Sequence, residues 1–171
     1  MKQLLLLIIL LFSARSVYAQ QANSTSDSTT IILVRHAEKL DDGTNNPHLS
    51  EDGLLRAERL KEILYGNYPI KAVFSTKYHR TQETATPIAT ALEHEILVYD
   101  LSNPSEFLQS VIENYASQTV LIVGHSNTTS YFANILLGQQ KYEKIDEADF
   151  GNIYVVKAVG LGKALEKHST Y

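Results

Sequence analysis

The chain has 171 residues, 44% of them hydrophobic and 20% charged, with 15 basic against 19 acidic side chains. That balance fits one globular domain, excludes wholesale disorder, and argues against nucleic acid as a partner, since backbone binding needs a basic surface. The absence of cysteine excludes disulfides, thiolate metal sites, a cysteine nucleophile and a lipid-bearing cysteine anchor.

In chain order, Lys2 precedes an unbroken apolar run, Leu4 to Phe12, and Ala19 offers a small residue for cleavage with Val17 two positions before it. This pattern reads as a signal peptide over residues 1–19, too short for a stable membrane anchor. The expected location is therefore periplasmic or secreted. Removal of 1–19 takes away Lys2 and Arg15 and no acid, leaving 13 basic and 19 acidic side chains and a net charge of −6. A few arginines focused in one pocket still suffice to bind an anion on such a surface. Residues 20–30 are polar and rich in Ser and Thr, a flexible leader before a single domain over 31–171.

From Ile31 the chain alternates between strand and helix patterns. Ile31 to Val34 is a β-branched apolar run, followed by a loop marked by Asp42-Gly43 and Pro47. Ser50 is an N-cap with Glu51 and Asp52 in the first turn, and Leu54, Ala57, Leu60 and Leu64 repeat at helical spacing up to Gly66. Strands are expected at 70–74, 95–99 and 119–123, with helices at 78–92, 105–115 and 127–137. Two closing strands, 153–159 and 163–168, meet through Gly160 and Gly162. Such alternation implies an α/β fold, a mostly parallel sheet with helices on its faces, with ligands collecting beyond the strands' carboxyl ends. Arg35-His36, Ser75-Thr76 with Arg80, Asp100 and Gly124-His125 all fall there.

Those residue types suit phosphoryl chemistry. Guanidinium groups offer paired donors that match phosphate oxygens, and a neutral imidazole can attack phosphorus. Nearby arginines stabilise the transition state and hold His36 neutral. Gly124 is expected to let the backbone approach the phosphoryl group, and Ser126 to add a donor. Zinc on His36, His125 and Asp100 is disfavoured, because two adjacent arginines repel a cation. His48 and His79 read as helix-surface or pocket-rim residues, His94 and His168 as surface. The pattern Asn127-Thr128-Thr129 is a glycosylation acceptor beside His125, and a glycan there would obstruct the pocket, which favours a bacterial periplasm.

Leu33-Val34-Arg35-His36-Ala37-Glu38 resembles the signature of the histidine phosphatase superfamily, which includes the phosphoglycerate mutases. Pro47-His48-Leu49-Ser50-Glu51-Asp52-Gly53, then Ser75-Thr76 with Arg80-Thr81 and Thr84-Ala85, then Gly124-His125-Ser126-Asn127-Thr128 resemble three further motifs in family order. The resemblance runs from about Ile31 to Leu137, with Ala37 standing where glycine is commoner. It implies a three-layer αβα sandwich and a reaction that needs no metal or cofactor. His36 would be the phosphorylated nucleophile, and Arg35, Arg80 and His125 would bind the phosphoryl group. A phosphorylated small molecule is the expected substrate; a protein phosphohistidine phosphatase or a non-catalytic phosphate-binding module are the alternatives. For the proton donor the position rule favours Asp100, with Glu93, Glu95 and solvent as alternatives.

Overall fold

The computed structural model describes residues 27–171. The expected signal peptide and most of the expected leader lie outside them.

Strands β1 (Thr29–Arg35), β2 (Ile70–Ser75), β3 (Ile96–Val98) and β4 (Thr119–Gly124) alternate with helices α1 (Glu51–Leu64), α2 (His79–Ala91) and α3 (Pro104–Asn114). Helix α4 (Ser126–Leu137) and strands β5 (Asn152–Gly160) and β6 (Lys163–Thr170) complete the chain. The sheet order is β3-β2-β4-β1-β5-β6. The first four strands are parallel, and β5 and β6 add antiparallel at the β1 edge. Among the described residues no helix is long and apolar enough to cross a membrane.

Alternation along β1 builds both layers at once, because successive side chains point to opposite faces. Ile31 and Leu33 face a core closed by Leu108, Val111 and Ile112 of α3 and Phe132, Ala133 and Leu136 of α4. Ile32 and Val34 face the opposite core, closed by Leu60 and Leu64 of α1 and Ala85, Ile88 and Ala89 of α2. The result is the three-layer αβα sandwich expected from the sequence.

Three local features have physical causes. β1 begins at Thr29, two residues inside the expected leader, because its hydroxyl is wholly buried against the Ile112 and Tyr115 carbonyls at 2.9 and 3.1 Å. Helix α1 opens as expected, with Ser50 Oγ accepting from Gly53 N at 3.2 Å. Gly53 itself is required there: a Cβ would lie 2.0 Å from the Glu38 carbonyl oxygen, so the helix packs directly on the segment after β1. The short strand β3 is more exposed than a buried parallel strand, with Leu97 at 39% and Val98 at 60%, as befits an edge position.

Candidate active site

The register that aligns β1 with β4 sets Arg35 beside Gly124, so the residues that follow each strand, His36 and His125, emerge side by side. Their ring centroids lie 5.4 Å apart in an edge-to-face arrangement. A hydrogen bond of 2.9 Å from His36 N to the Gly124 carbonyl ties the two strand ends together. Helix α2 is stitched to the same place, with Ala37 N donating to Thr84 Oγ1 at 2.9 Å and that hydroxyl donating to the Arg80 carbonyl at 2.7 Å.

The tautomer of His36 follows from its one ring partner. Nδ1 lies 2.7 Å from the Ala37 carbonyl, which only accepts, so Nδ1 carries the proton and Nε2 keeps its lone pair. Burial pushes the imidazole pKa down to about 3, opposed by the Ala37 bond and reinforced by His125, Arg35 and Arg80. The ring is neutral at neutral pH.

For His125 the proton position comes from a chain of hydroxyls. Thr81 Oγ1 spends its hydrogen on a carbonyl, Tyr78 O at 2.8 Å, so in the 2.7 Å pair Thr76 Oγ1 donates to Thr81 Oγ1. Thr76 Oγ1 must then accept from His125 Nε2, 3.1 Å away. The Nδ1 edge remains, 3.5 Å from Arg80 Nη2. Burial, then Arg80 and Arg35, push this imidazole pKa down to about 4.

The two arginines hold unspent donors. Arg80 Nε and Nη1 and Arg35 Nε are buried and make no hydrogen bond among the described residues. An unpaired buried donor on a charged group costs about 1–3 kcal/mol or more, so three together mark a place prepared for an anion. Tyr78 backs Arg80, its ring centroid 4.6 Å from the guanidinium carbon, and meets His125 edge-on at 5.3 Å.

Arg35 is anchored from its other end. Its Nη1 donates to the carbonyls of Asp146, Glu147 and Asp149 at 2.7, 3.1 and 2.8 Å, and Nη2 to Glu147 Oε2 at 2.8 Å. Phe150 covers the guanidinium at 4.1 Å and reaches the His36 ring at 6.1 Å. The loop before β5 is therefore organised around one buried cation.

The structure brings together Arg35, His36, Arg80 and His125 and revises the other expected members. Ser126 opens α4, but its hydroxyl donates to Glu147 Oε1 at 2.9 Å. Gly124 has a packing reason to be small: a Cβ would meet Thr128 Oγ1, Thr129 Oγ1 and the Tyr99 hydroxyl at 2.9, 3.1 and 3.2 Å. Its missing side chain makes room for α4 and Tyr99. Asp100 does not join the cluster. It is exposed, its Oδ1 accepts from Ser102 N at 2.6 Å, and the bonds from Ser102, with Lys77 nearby, hold its carboxyl below the usual range. Its position past β3 puts it beside Val98, Asn103 and Glu106, around a shallow cleft of the sheet edge. Glu93 and Glu95 are exposed as well.

The carboxylate that touches the site is Glu147, bonded to Arg35 and Ser126. Bonds from Lys144 and Ser126 hold its pKa near about 2, so it is an anion that orients Arg35 rather than a stored acid. Sequence reading missed it together with Phe150, because both stand in an irregular loop. Tyr78 was within reach: it precedes the second arginine and is the N-cap of α2.

The fold and this cluster define an α/β protein with two histidines and two arginines gathered at the ends of its parallel strands. The model of the histidine phosphatase superfamily (branch 1) matches residues 31–101. No curated protein matches the sequence. Among solved structures, the protein histidine phosphatase SixA complexed with tungstate superposes with a TM-score of 0.69 at 17% identity, covering 82% of this chain and 96% of that one. Phosphoserine phosphatase from Entamoeba histolytica, with 3-phosphoglyceric acid, gives 0.65 at 17% identity over 84% and 98%. A putative alpha-ribazole-5'-P phosphatase from Escherichia coli gives 0.66 at 16% identity over 85% and 97%. The chain thus shares the fold of these phosphatases, and its segment 31–101 is similar to the histidine phosphatase superfamily.

Proposed function

We propose that the protein is a phosphatase that hydrolyses phosphomonoesters through a phosphohistidine on His36. One observation carries this reading: a neutral imidazole, its Nε2 lone pair free, stands among three buried guanidinium N–H groups that lack partners. The phosphoryl group of a substrate supplies acceptors for those donors. His36 Nε2 attacks phosphorus, the P–N bond forms and the bond to the leaving oxygen breaks. Arg35, Arg80 and His125 stabilise the charge on the equatorial oxygens. The leaving alkoxide takes a proton from solvent, since Asp100 stands outside the contacts of the site and Glu147 is held ionised. Water then attacks the phosphohistidine, releasing phosphate and returning the ring with its Nδ1 proton unchanged. Solvent as donor implies that substrates with good leaving groups react fastest.

A cleft of about 450 Å³ runs beside the start of α4, lined by Asn127, Tyr131, Tyr142 and Lys144. We propose further that the mature chain works outside the cytoplasm, on the strength of the Leu4 to Phe12 run and the Ala19 cleavage pattern.

The test is mass spectrometry under acid-free conditions after brief exposure to an activated aryl phosphate. A phosphoryl adduct on His36, absent in His36→Ala together with turnover, is the expected result. Turnover that survives His36→Ala overturns the mechanism, and phosphate binding without adduct or hydrolysis would leave a non-catalytic binding module.

A further inference from the structure

At the rim of the pocket, outside the set just described, three side chains from two segments converge. His48 comes from the loop ahead of α1, His79 is the first residue of α2, and Glu83 lies one turn further along the same helix. The i, i+4 spacing puts His79 and Glu83 on one helix face. His48 and His79 stack with centroids 4.2 Å apart and planes inclined by 10°. His48 Nδ1 contacts Glu83 Oε1, and the other carboxylate oxygen accepts from Leu49 N at 2.7 Å. Neither ring nitrogen of His79 has a hydrogen-bond partner among the described residues; its backbone N–H is held by Asn46 Oδ1 at 2.9 Å.

We propose that His48, His79 and Glu83 form a site for a divalent transition-metal ion, with Zn²⁺ the best match. One nitrogen from each imidazole and one carboxylate oxygen all lie within 4.8 Å of one another. Two imidazoles and a carboxylate are a zinc-type donor set, whereas calcium and magnesium take oxygen ligands. Bond lengths near 2.1 Å place tetrahedral ligands roughly 3.4 Å apart, so the donors need to close by about 1.5 Å at most. Both rings are exposed and free to turn that far. The Leu49 N–H fixes the carboxylate from behind, the outer-sphere contact that orients a ligating oxygen. Water fills the remaining coordination position. The ion would clip the loop ahead of α1 to the first turn of α2, next to Arg80, without entering the phosphate pocket.

Calorimetric titration of the untagged mature protein with Zn²⁺ alone tests the site. One ion per chain is expected. His48→Ala and His79→Ala each weaken it by at least about ten-fold, Glu83→Gln weakens it similarly, and His36→Ala leaves it unchanged. Stoichiometric binding that persists in both rim variants, or is lost in His36→Ala, overturns the assignment, as does no binding at all. Should a rim variant fail to fold, anomalous scattering from a zinc-soaked crystal of the unaltered protein decides. A peak among the three side chains supports the site, and its absence there refutes it.

Discussion

Acidification from pH 6.5 to 5 gives the most direct test of the charge state of the pocket. His36 and His125 sit in the fold with pKa values pushed down to about 3 and about 4. In the unfolded chain each returns to an ordinary histidine value, roughly 6.5. The unfolded state therefore binds up to two more protons across this window. The stability these neutral rings contribute is complete above pH 6.5 and is lost as pH falls toward the folded values. Each proton is worth about 1.4 kcal/mol per pH unit once the unfolded ring is protonated, so the pair gives a slope approaching ~2.7 kcal/mol per unit. Over the window the loss is on the order of 2–3 kcal/mol, a large part of a typical 5–15 kcal/mol total. Paired carboxylates with depressed values act below this range, so the signal belongs to histidine. Urea unfolding at half-unit pH steps measures it. His36→Asn and His125→Asn each remove about half the slope, and saturating phosphate, which supplies a counter-charge, flattens it. A slope left unchanged in the double variant would refute the buried-neutral reading of both rings.

Arg80→Ala removes two buried unpartnered donors and is expected to raise the dissociation constant for phosphate by on the order of 100-fold, read by calorimetry. Asp100→Asn should change turnover of poor and good leaving groups by less than about two-fold, because this carboxylate bonds only its own turn; a selective loss with poor leaving groups would restore it as the donor. Gly53→Ala drives a Cβ into the Glu38 carbonyl and is expected to cost about 3 kcal/mol by chemical denaturation, while leaving the site residues untouched. Glu147→Gln keeps the shape of its side chain but removes a charge from Arg35, so phosphate binding should strengthen while the loop before β5 becomes more open to proteolysis.

Much of this was legible in the sequence because it rests on local pattern. The β-branched run at Ile31 to Val34 is buried on both faces, and such strands read as continuous apolar stretches. Helix α1 announced itself by Ser50 and by the spacing of Ala57, Leu60 and Leu64. The pocket's four principal side chains were found because parallel strands deliver their following residues to one edge. What escaped has a common cause: partners brought from far along the chain by irregular backbone. Glu147 meets Arg35 from a loop more than a hundred residues away, and no periodicity encodes that meeting. Thr29 was hidden by its polarity, its hydroxyl satisfied by two carbonyls that only the folded α3 presents. Asp100 misled because the end of a strand is not enough; β3 lies at the sheet edge, separated from β1 by β2 and β4.

The hydroxyl chain behind His125 has a bearing on how a ligand enters. Thr81 and Thr76 are each committed to donate in one direction, so the imidazole already gives its single proton to Thr76 and faces Arg80 with a lone pair. An arriving phosphate presents oxygen lone pairs to that edge, and two lone pairs repel. The ring must therefore take up a second proton as the dianion docks, or receive it from a monoanion. On the proposed function, phosphate binding is therefore expected to be proton-coupled, with an apparent enthalpy that varies with the ionisation heat of the buffer that supplies the proton.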